Sequence, residues 1–404
     1  MSRMLWIGSY TDDATFKKMQ KFGYRNSAAH VSQKNILEGI EKVTGNKFDS
    51  IGCLVLPDYP ACKTLCVKKQ LFHHQKDVND VLVGYLNIKY LNRLFSKHGL
   101  KREANKWAKT RSIEEEHVDI FVYEMRSACL AAAIGVKKRI PGSKIHLIVP
   151  DLPQYMSLSM SKIKKVLKNI DWKAINRALL KVDDFILYSA PMAEFLKIQN
   201  RPWMVMEGSI SVEEIQKTPA KQDIDNDKVS VMYSGYLDRN YGIDKLVSAF
   251  EFLDDKYELW ITGSGPAENI VKEAAARDNR IKFFGFLNSR EDLISLQQKA
   301  TMLINMRDPN VQASDYCFPS KIFEYMLTGK PVLSCKLGGI PEEYFDCLIQ
   351  IRSFSSEDIA TAIKEIGTIS KEEKNKIGEK NKQFIISKKN NIEQAKKIVY
   401  FIEI

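Results

Sequence analysis

Residues 304–331 read INMRDPNVQASDYCFPSKIFEYMLTGKP. A strand ends at Asn305 and a loop follows. Pro319-Ser320-Lys321 then opens a helix that carries Glu324 and stops at Gly329, before a further strand. The punctuation is physically apt: proline lacks the N–H that a first helical turn leaves unused, and glycine takes the left-handed conformation that closes the last turn. A strand–loop–helix–strand unit of this kind builds a parallel sheet. The first N–H groups of a helix have no partner within it, so with Lys321 beside them they suit a phosphate, and Glu324, one turn in, can accept hydrogen bonds from a ribose diol. The same residues also suit an ordinary strand–helix–strand unit with a capped helix. By themselves they leave both readings open.

Working outward, short apolar runs alternate with helical stretches along the chain, the pattern of parallel sheets with crossover helices. In the first half the expected strands are Met4–Gly8, Ser50–Leu56, Val118–Tyr123, Lys144–Val149 and Asp184–Tyr188, with a helix over Ala28–Val43. In the second half they are Val229–Ser234, Tyr257–Thr262, Ile281–Phe284, Met302–Asn305, Pro331–Ser334 and Leu348–Ile351. Helices fall between them, over Ile243–Leu253, Pro266–Arg277, Asp292–Gln298 and Ser320–Thr328. The polar, strandless stretch Glu213–Asp227 reads as a linker. The expected organisation is therefore a Rossmann-like domain over 1–212, the linker 213–227, a second Rossmann-like domain over 228–385, and a C-terminal helix within 386–404 that can pack back on the first domain. The expected fold class is α/β, with two Rossmann-like domains facing across a cleft. Ligands of open parallel sheets bind beyond the carboxyl ends of the strands, so the loops after each strand are the ones to inspect.

Bulk composition narrows the classes. A chain of 404 residues suits two domains, and 44% hydrophobic with 27% charged residues is a globular balance. The apolar run near the N-terminus is too short for a signal peptide, and no stretch approaches the ~18 uncharged apolar residues of a membrane span. The expected place is the cytoplasm, with the inner face of the plasma membrane as an option. Seven cysteines are scattered without zinc spacing and read as reduced thiols. The net charge of +11 is uneven: residues 1–211 hold 34 Lys and Arg against 20 Asp and Glu, and 212–404 hold 27 against 30. A basic first half can face anionic lipid or a phosphorylated substrate. Nucleic acid is not an expected partner, because no zinc finger, RGG tract or RNP-like motif is present.

The stretch 304–331 resembles the nucleotide-sugar signature of the retaining glycosyltransferases of family 4 (group 1), in the branch that makes bacterial capsule and exopolysaccharide, with its FPSK…EYM…GxPV pattern. Three more pieces match in order: VSVMYSGYLDRNYGIDKLVSAFEFL (229–253), YELWITGSGP (257–266) and IKFFGFLNSREDL (281–293). The likeness is strong over 229–352, moderate over 183–210 and 151–156, and weak elsewhere. It implies that Glu324 binds the donor ribose and that the backbone at Phe286 and Leu287 holds the base. Gly235 would leave room for the diphosphate, and Lys321, with Ser320 beside it, and Arg307 would meet its charge. Two departures stand out. Tyr316, with Asp315 next to it, occupies the place of a frequent glutamate, and Tyr236 and Tyr241 occupy the places of the frequent arginine and lysine. Arg239, Arg307 and Lys321 are the substitutes on offer; Arg239 is equally readable as a surface residue.

In the first half, Ser27 within NSAAH (26–30) precedes a helical run, where small residues let a phosphate approach backbone N–H groups. Asp151 stands directly beyond the strand IHLIV and either orients an acceptor hydroxyl or caps the next helix. Glu124 carries the same ambiguity at the end of VDIFVYE, as does Glu207 in EGSI. Ser157–Lys181 is amphipathic and basic, with Lys and Arg on its polar face against Asp171 alone; both a helix lying on anionic lipid and an ordinary surface helix fit.

These readings combine into a hexosyltransferase. The implied donor is a nucleotide sugar, a UDP-sugar by the resemblance, and the implied acceptor a sugar or lipid-linked oligosaccharide. The resemblance also implies retention and a role in surface polysaccharide synthesis. The catalytic candidates are Asp151, Lys321 and Arg307, and no metal ion or cofactor is expected because no DxD-type pair stands in a suitable place. The rival readings are a sugar-nucleotide epimerase of the same architecture and an inactive glycosyltransferase-like scaffold.

Overall fold

The run RMLWIG forms β1 (Arg3–Gly8), and its Leu5, Trp6 and Ile7 are fully buried. Burial on both faces is what a central parallel strand needs, because helices cover each side. The computed structural model containing it describes residues 3–24, 27–111, 117–154, 162–217 and 228–403. The chain continues through α1 (Asp13–Lys21), α2 (Ser27–Thr44), β2 (Lys47–Gly52), β3 (Cys66–Val67), β4 (Gln70–Phe72), β5 (Asp80–Leu82), β6 (Tyr85–Leu86) and α3 (Asn92–Arg111). Then come β7 (Asp119–Tyr123), α4 (Ser127–Arg139), β8 (Lys144–Val149), α5 (Lys162–Leu179), β9 (Asp184–Leu187), α6 (Pro191–Phe195), β10 (Trp203–Val205) and α7 (Val212–Lys217). The first sheet has the order β10-β9-β8-β7-β1-β2-β5-β4, parallel but for β4 on its edge. Right-handed crossovers put α2 on one face and α3, α4 and α5 on the other.

The second sheet is built from β11 (Val229–Tyr236), α8 (Ile243–Ala249), β12 (Tyr257–Ser264), α9 (Glu268–Arg277), β13 (Ile281–Phe283), α10 (Arg290–Lys299) and β14 (Met302–Asn305). It is completed by α11 (Lys321–Leu327), β15 (Val332–Cys335), β16 (Ile349–Ile351), α12 (Ser356–Thr368) and α13 (Lys371–Lys388). All six strands are parallel, in the order β13-β12-β11-β14-β15-β16. The last helix, α14 (Asn391–Glu403), packs against α2. Its seat needs a residue without a side chain: a Cβ on Gly39 would lie 2.4 Å from the Asn391 carbonyl.

Two units result. One comprises residues 1–188, 192–209 and 391–404, and the other comprises 189–191 and 210–390. The sheet-bearing units thus meet in sequence at 209/210, and the tail expected as 386–404 divides at 390/391, because α13 runs on to Lys388. The stretch expected as a strandless linker opens in α7 instead. Ser211 accepts a hydrogen bond from Glu214 N at 3.0 Å, and Glu213 and Glu214 sit in the first turn, a capped start with the favourable charge. Residues 218–227 lie outside the described ones.

The second expected strand, Ser50–Leu56, is displaced to β2, Lys47–Gly52. Leu54 and Leu56 leave the ladder yet stay buried, because the Tyr85 hydroxyl donates to Leu54 O (2.8 Å) and accepts from Leu56 N (3.0 Å). An apolar run signals burial, and here burial comes from the excursion 53–91 rather than from strand pairing.

Candidate functional site

In the second unit the strand order reverses at β11. The chain leaves β11 toward β12 and β13 and returns to add β14, β15 and β16 on the other side. The loops after β11 and β14 therefore diverge, and a crevice opens between them, the place where open parallel sheets take ligands.

The β11 loop begins at Leu237, which is fully buried, and turns on Asp238, whose Oδ1 accepts from Asn240 N at 2.9 Å. It ends at Gly242, with φ of 72°. Gly242 must lack a side chain, since a Cβ would fall 2.2 Å from the Phe354 ring. Arg239 projects from this loop, 72% exposed, with Asp244 at 4.0 Å as its nearest carboxylate. The β14 loop carries Arg307 and spans the gap. Its Nη2 donates to the Tyr241 hydroxyl (3.3 Å), its Nη1 donates to the Cys317 carbonyl (3.3 Å), and the guanidinium lies 5.1 Å from the Tyr241 ring centroid. All of these partners are neutral, so the positive charge at the crevice stays uncompensated among the described residues.

Behind the loops, Glu324 is held by α10 as well as its own helix. Gln297 Nε2 donates to Glu324 Oε1 at 2.6 Å and to Ser234 Oγ at 3.0 Å. The fully buried Tyr325 hydroxyl accepts from Ser234 N (2.8 Å) and donates to Ser234 O (2.9 Å), which locks α11 onto β11. Burial without a cation pushes the Tyr325 phenol well above its usual range, so it stays a donor. Lys321 Nζ lies 3.4 Å from Glu324 Oε1, a half-exposed i,i+3 pair of little intrinsic strength. Glu324 Oε2 accepts nothing from the described residues and is available to a diol.

Ser320 is exposed and α11 has seven residues, so the helix dipole adds little here and the loop cations supply most of the positive field. Gly235 lies in the last turn of β11 rather than in the loop, with a backbone any residue adopts; a Cβ there would sit 3.1 Å from the Tyr233 hydroxyl. The glycine that the close approach requires is Gly263, at φ of 142°, whose Cβ would fall 1.8 Å from Gly235 O. Phe286, 65% exposed, and Leu287 follow Gly285, whose carbonyl accepts from Thr262 Oγ1 (2.6 Å) and Gly263 N (2.8 Å). Their loop ends β13, two strands from β11 and so about 10 Å away.

On the first sheet, Glu124, Asp151 and Ser27 belong to elements that reach its carboxyl edge. Glu124 directly follows β7 with φ of 71°, a left-handed conformation that costs a non-glycine residue roughly 1–3 kcal/mol. Its carboxylate lies 3.1 Å from Arg126 Nε. Asp151 is exposed beyond β8, and residues 155–161, between it and the described part of α5, lie outside the described ones. Ser27 opens α2 and is exposed. Three residues on, His30 is buried, stacked 3.9 Å from Phe16 and bonded to Asp13 at 3.2 Å, with its pKa lowered by burial; it is packing. Gln33 fixes α2 to β1 by accepting from Ser9 N (2.9 Å) and donating to Ser9 Oγ (2.8 Å). Glu207 is buried.

Sequence reasoning missed Gln297, Tyr325 and Arg126. Gln297 lies 27 residues before Glu324 on another helix, and no local pattern marks such a pair. Arg126 was legible as a cation three residues past a strand end. Among the described residues no group of three or more His, Cys, Asp or Glu side chains is placed to hold a metal ion, and no helix is long and apolar enough to cross a membrane.

Residues 228–368 match the model of the family described as glycosyl transferases group 1. No curated protein sequence matches the chain significantly. Among solved structures, the apo lipopolysaccharide outer core galactosyltransferase WaaB is similar at TM-score 0.63 and 12% identity, with 99% of each chain covered. HepE of Anabaena in complex with UDP is similar at TM-score 0.64 and 14% identity over the whole of both chains. The sucrose-phosphate synthase of Thermosynechococcus elongatus gives TM-score 0.61 and 15% identity, covering 100% of this chain and 98% of that one. At these identities the likeness defines the fold, which is GT-B, and the stretch that matches the family model is the one that builds the second sheet.

Proposed function

We propose that this chain transfers a hexose from a UDP-sugar to a hydroxyl of a lipid-carried sugar acceptor, with retention of anomeric configuration, in the synthesis of a surface polysaccharide. The observation that carries this reading is the crevice at the β11/β14 reversal. There, the uncompensated Arg307 stands between two diverging loops, and Glu324 is oriented by Gln297, all inside the stretch that matches the glycosyltransferase family. The likeness to WaaB, a galactosyltransferase, and to HepE in complex with UDP supports a nucleotide-sugar donor.

In this reading Arg307, Lys321 and Arg239 meet the diphosphate, Glu324 takes the ribose hydroxyls, and the loop at Phe286 and Leu287 takes the base. As the bond from the anomeric carbon to the phosphate oxygen breaks, negative charge grows on that oxygen. Fixed cations stabilise this added charge beyond what they give the ground-state diphosphate, which is the source of the rate. The acceptor oxygen then bonds the anomeric carbon from the same face, and its proton passes to the departing phosphate. Asp151 orients the acceptor hydroxyl, with Ser27 and Glu124 on the acceptor side. The charge is met without a metal ion, so EDTA should leave turnover unchanged.

The test is a melting and hydrolysis screen across nucleotide sugars. A UDP-hexose should raise the melting temperature by mass action and be slowly hydrolysed. Arg307→Gln should lose the shift and drop turnover by on the order of a hundredfold. A screen in which no nucleotide sugar stabilises the protein overturns the reading.

A further inference from the structure

Three helices of the first unit leave a trough on its surface. The sequence of α4, SACLAAAIGVKKR, is rich in small residues, and its outward stripe runs Ser127, Ala131, Ile134, Gly135, Lys138. α3 and α5 stand on either side, so α4 becomes the floor of a groove of about 810 Å3. A Cβ on Gly135 would come within 3.3 Å of Asn105 Oδ1, so the glycine lets α3 lie close. Lys97 and Lys101 from α3, Lys138 and Arg139 from α4, and Arg177 from α5 line the groove, and among the described residues no Asp or Glu does; the nearby Asp171 carboxylate accepts from the Ser127 hydroxyl. None of the five pairs with a carboxylate among the described residues. Like charges gathered this way repel one another until an anion enters.

A second feature adjoins the groove. Tyr59, Leu65, Leu86, Ile88, Leu91 and Leu94 are exposed, Leu94 to 63%. They are neighbours, because Tyr59 N donates to Asn87 O, Asn87 N to Leu65 O and Leu91 N to Ile88 O. Leu94 lies one turn before Lys97, on the stripe of α3 that faces the groove. On α5, Val166 and Ile170 are 59% and 60% exposed and continue the stripe of Ala174 and Arg177. Of the amphipathic stretch Ser157–Lys181, residues 157–161 and the side chains of 162–165 lie outside the described ones; in the rest Ile175 and Leu179 are buried in the unit, and Val166 and Ile170 on the same helix are left in water.

Aliphatic tips in water forfeit roughly 25 cal/mol per Å2 that burial would return, and a run of them marks a contact surface. Nucleic acid would satisfy the cations but not the leucines. A bilayer satisfies both, because its boundary sets phosphates above acyl chains. We propose that this face seats the first unit on a bilayer containing anionic phospholipid, the groove receiving a headgroup phosphate and the adjoining aliphatic side chains entering the headgroup–acyl boundary. The inference stands apart from the donor chemistry, since its readout needs no turnover.

The test is sedimentation of the full chain with vesicles of phosphatidylcholine alone or with phosphatidylglycerol added. Binding should require phosphatidylglycerol and fall with salt. The triple variant Lys97→Gln, Lys101→Gln, Lys138→Gln should bind on the order of a hundredfold more weakly, at about fivefold per cation. The double variant Leu91→Ser, Leu94→Ser should bind about tenfold more weakly or worse. Ala131→Glu, which puts a carboxylate on the floor, should repeat the loss without touching the aliphatic patch. Circular dichroism should show all three folded. Equal binding to neutral vesicles, no binding to anionic ones, or variants that bind as the wild type does would each overturn the proposal. So would single-stranded RNA that displaces the protein from vesicles at comparable affinity.

Discussion

At the scale of single residues, the second unit separates charge from orientation. Arg307 brings the charge, and Gln297 and Tyr325 hold the carboxylate and the strand end beside it. Glu324→Gln keeps the shape and the oxygen that accepts from Gln297 but turns the other acceptor into a donor, so it should raise KM for the donor by about tenfold or more while changing kcat little, as removal of a uniform binding contact does. Steady-state kinetics read the split, and a fall in kcat alone would count against the ribose role. Glu124 offers a different test. Glu124→Gly relieves the left-handed φ of 71° but leaves Arg126 without the carboxylate that lies 3.1 Å from it, so in a denaturant melt the variant should lose about 1 kcal/mol or more. If the side chain serves the acceptor, the same variant should lose far more activity than that loss of stability explains. Glu324 and Arg307 were readable from the chain because they lie within one strand–loop–helix stretch. Gln297 was not, because the contact that orients Glu324 crosses from α10 to α11.

At the scale of elements, β7, β8 and β9 are tied at their starts by a buried imidazole. His146 Nε2 lies 3.1 Å from Asp119 and Nδ1 2.8 Å from Asp184, and the ring is fully enclosed. Burial opposes its charge, but the two carboxylates outweigh burial and raise its pKa from 6.5 to about 9. The sign follows from linkage: the unfolded chain releases this proton near 6.5 and the fold near 9, so the stabilisation is full below 6.5 and gone once the pH passes 9. Melting temperature should therefore decline as the pH rises from 6.5 to 9, and His146→Phe should flatten that decline while lowering stability at pH 6. A decline of equal slope in the variant would reject the link; His74, held between Asp80 and Glu41, adds the same sign and sets the residual slope. Element positions in the second unit lie close to the periodic pattern, with boundaries moved by at most two residues, except that the helix expected over Ile243–Leu253 ends as α8 at Ala249. The first unit departed further, since the excursion 53–91 buries apolar residues by packing rather than by a strand of its own.

At the scale of the whole molecule, the two units differ in how the chain builds them. Residues 210–390 are continuous, whereas the first unit needs α14 from the far end of the chain to cover α2. A fragment 210–390 should thus melt cooperatively and be stabilised by UDP, while a fragment 1–209 should melt well below the full chain, by the loss of a buried helix face, until residues 391–404 are restored. Calorimetry of the fragments checks this, and a stable 1–209 would show α14 to be dispensable. The sequence by itself determined the α/β class, the two-sheet organisation and the loop that carries Arg307, Lys321 and Glu324, because periodicity and helix punctuation act within a few residues of one another. Only the tertiary structure decided which glycine permits close strand approach, which side chains orient Glu324, where the first unit ends, and that aliphatic side chains of α3 and α5 stay in water beside a cationic groove. Those outcomes depend on residues far apart in sequence meeting in space, and no local pattern along the chain encodes such meetings.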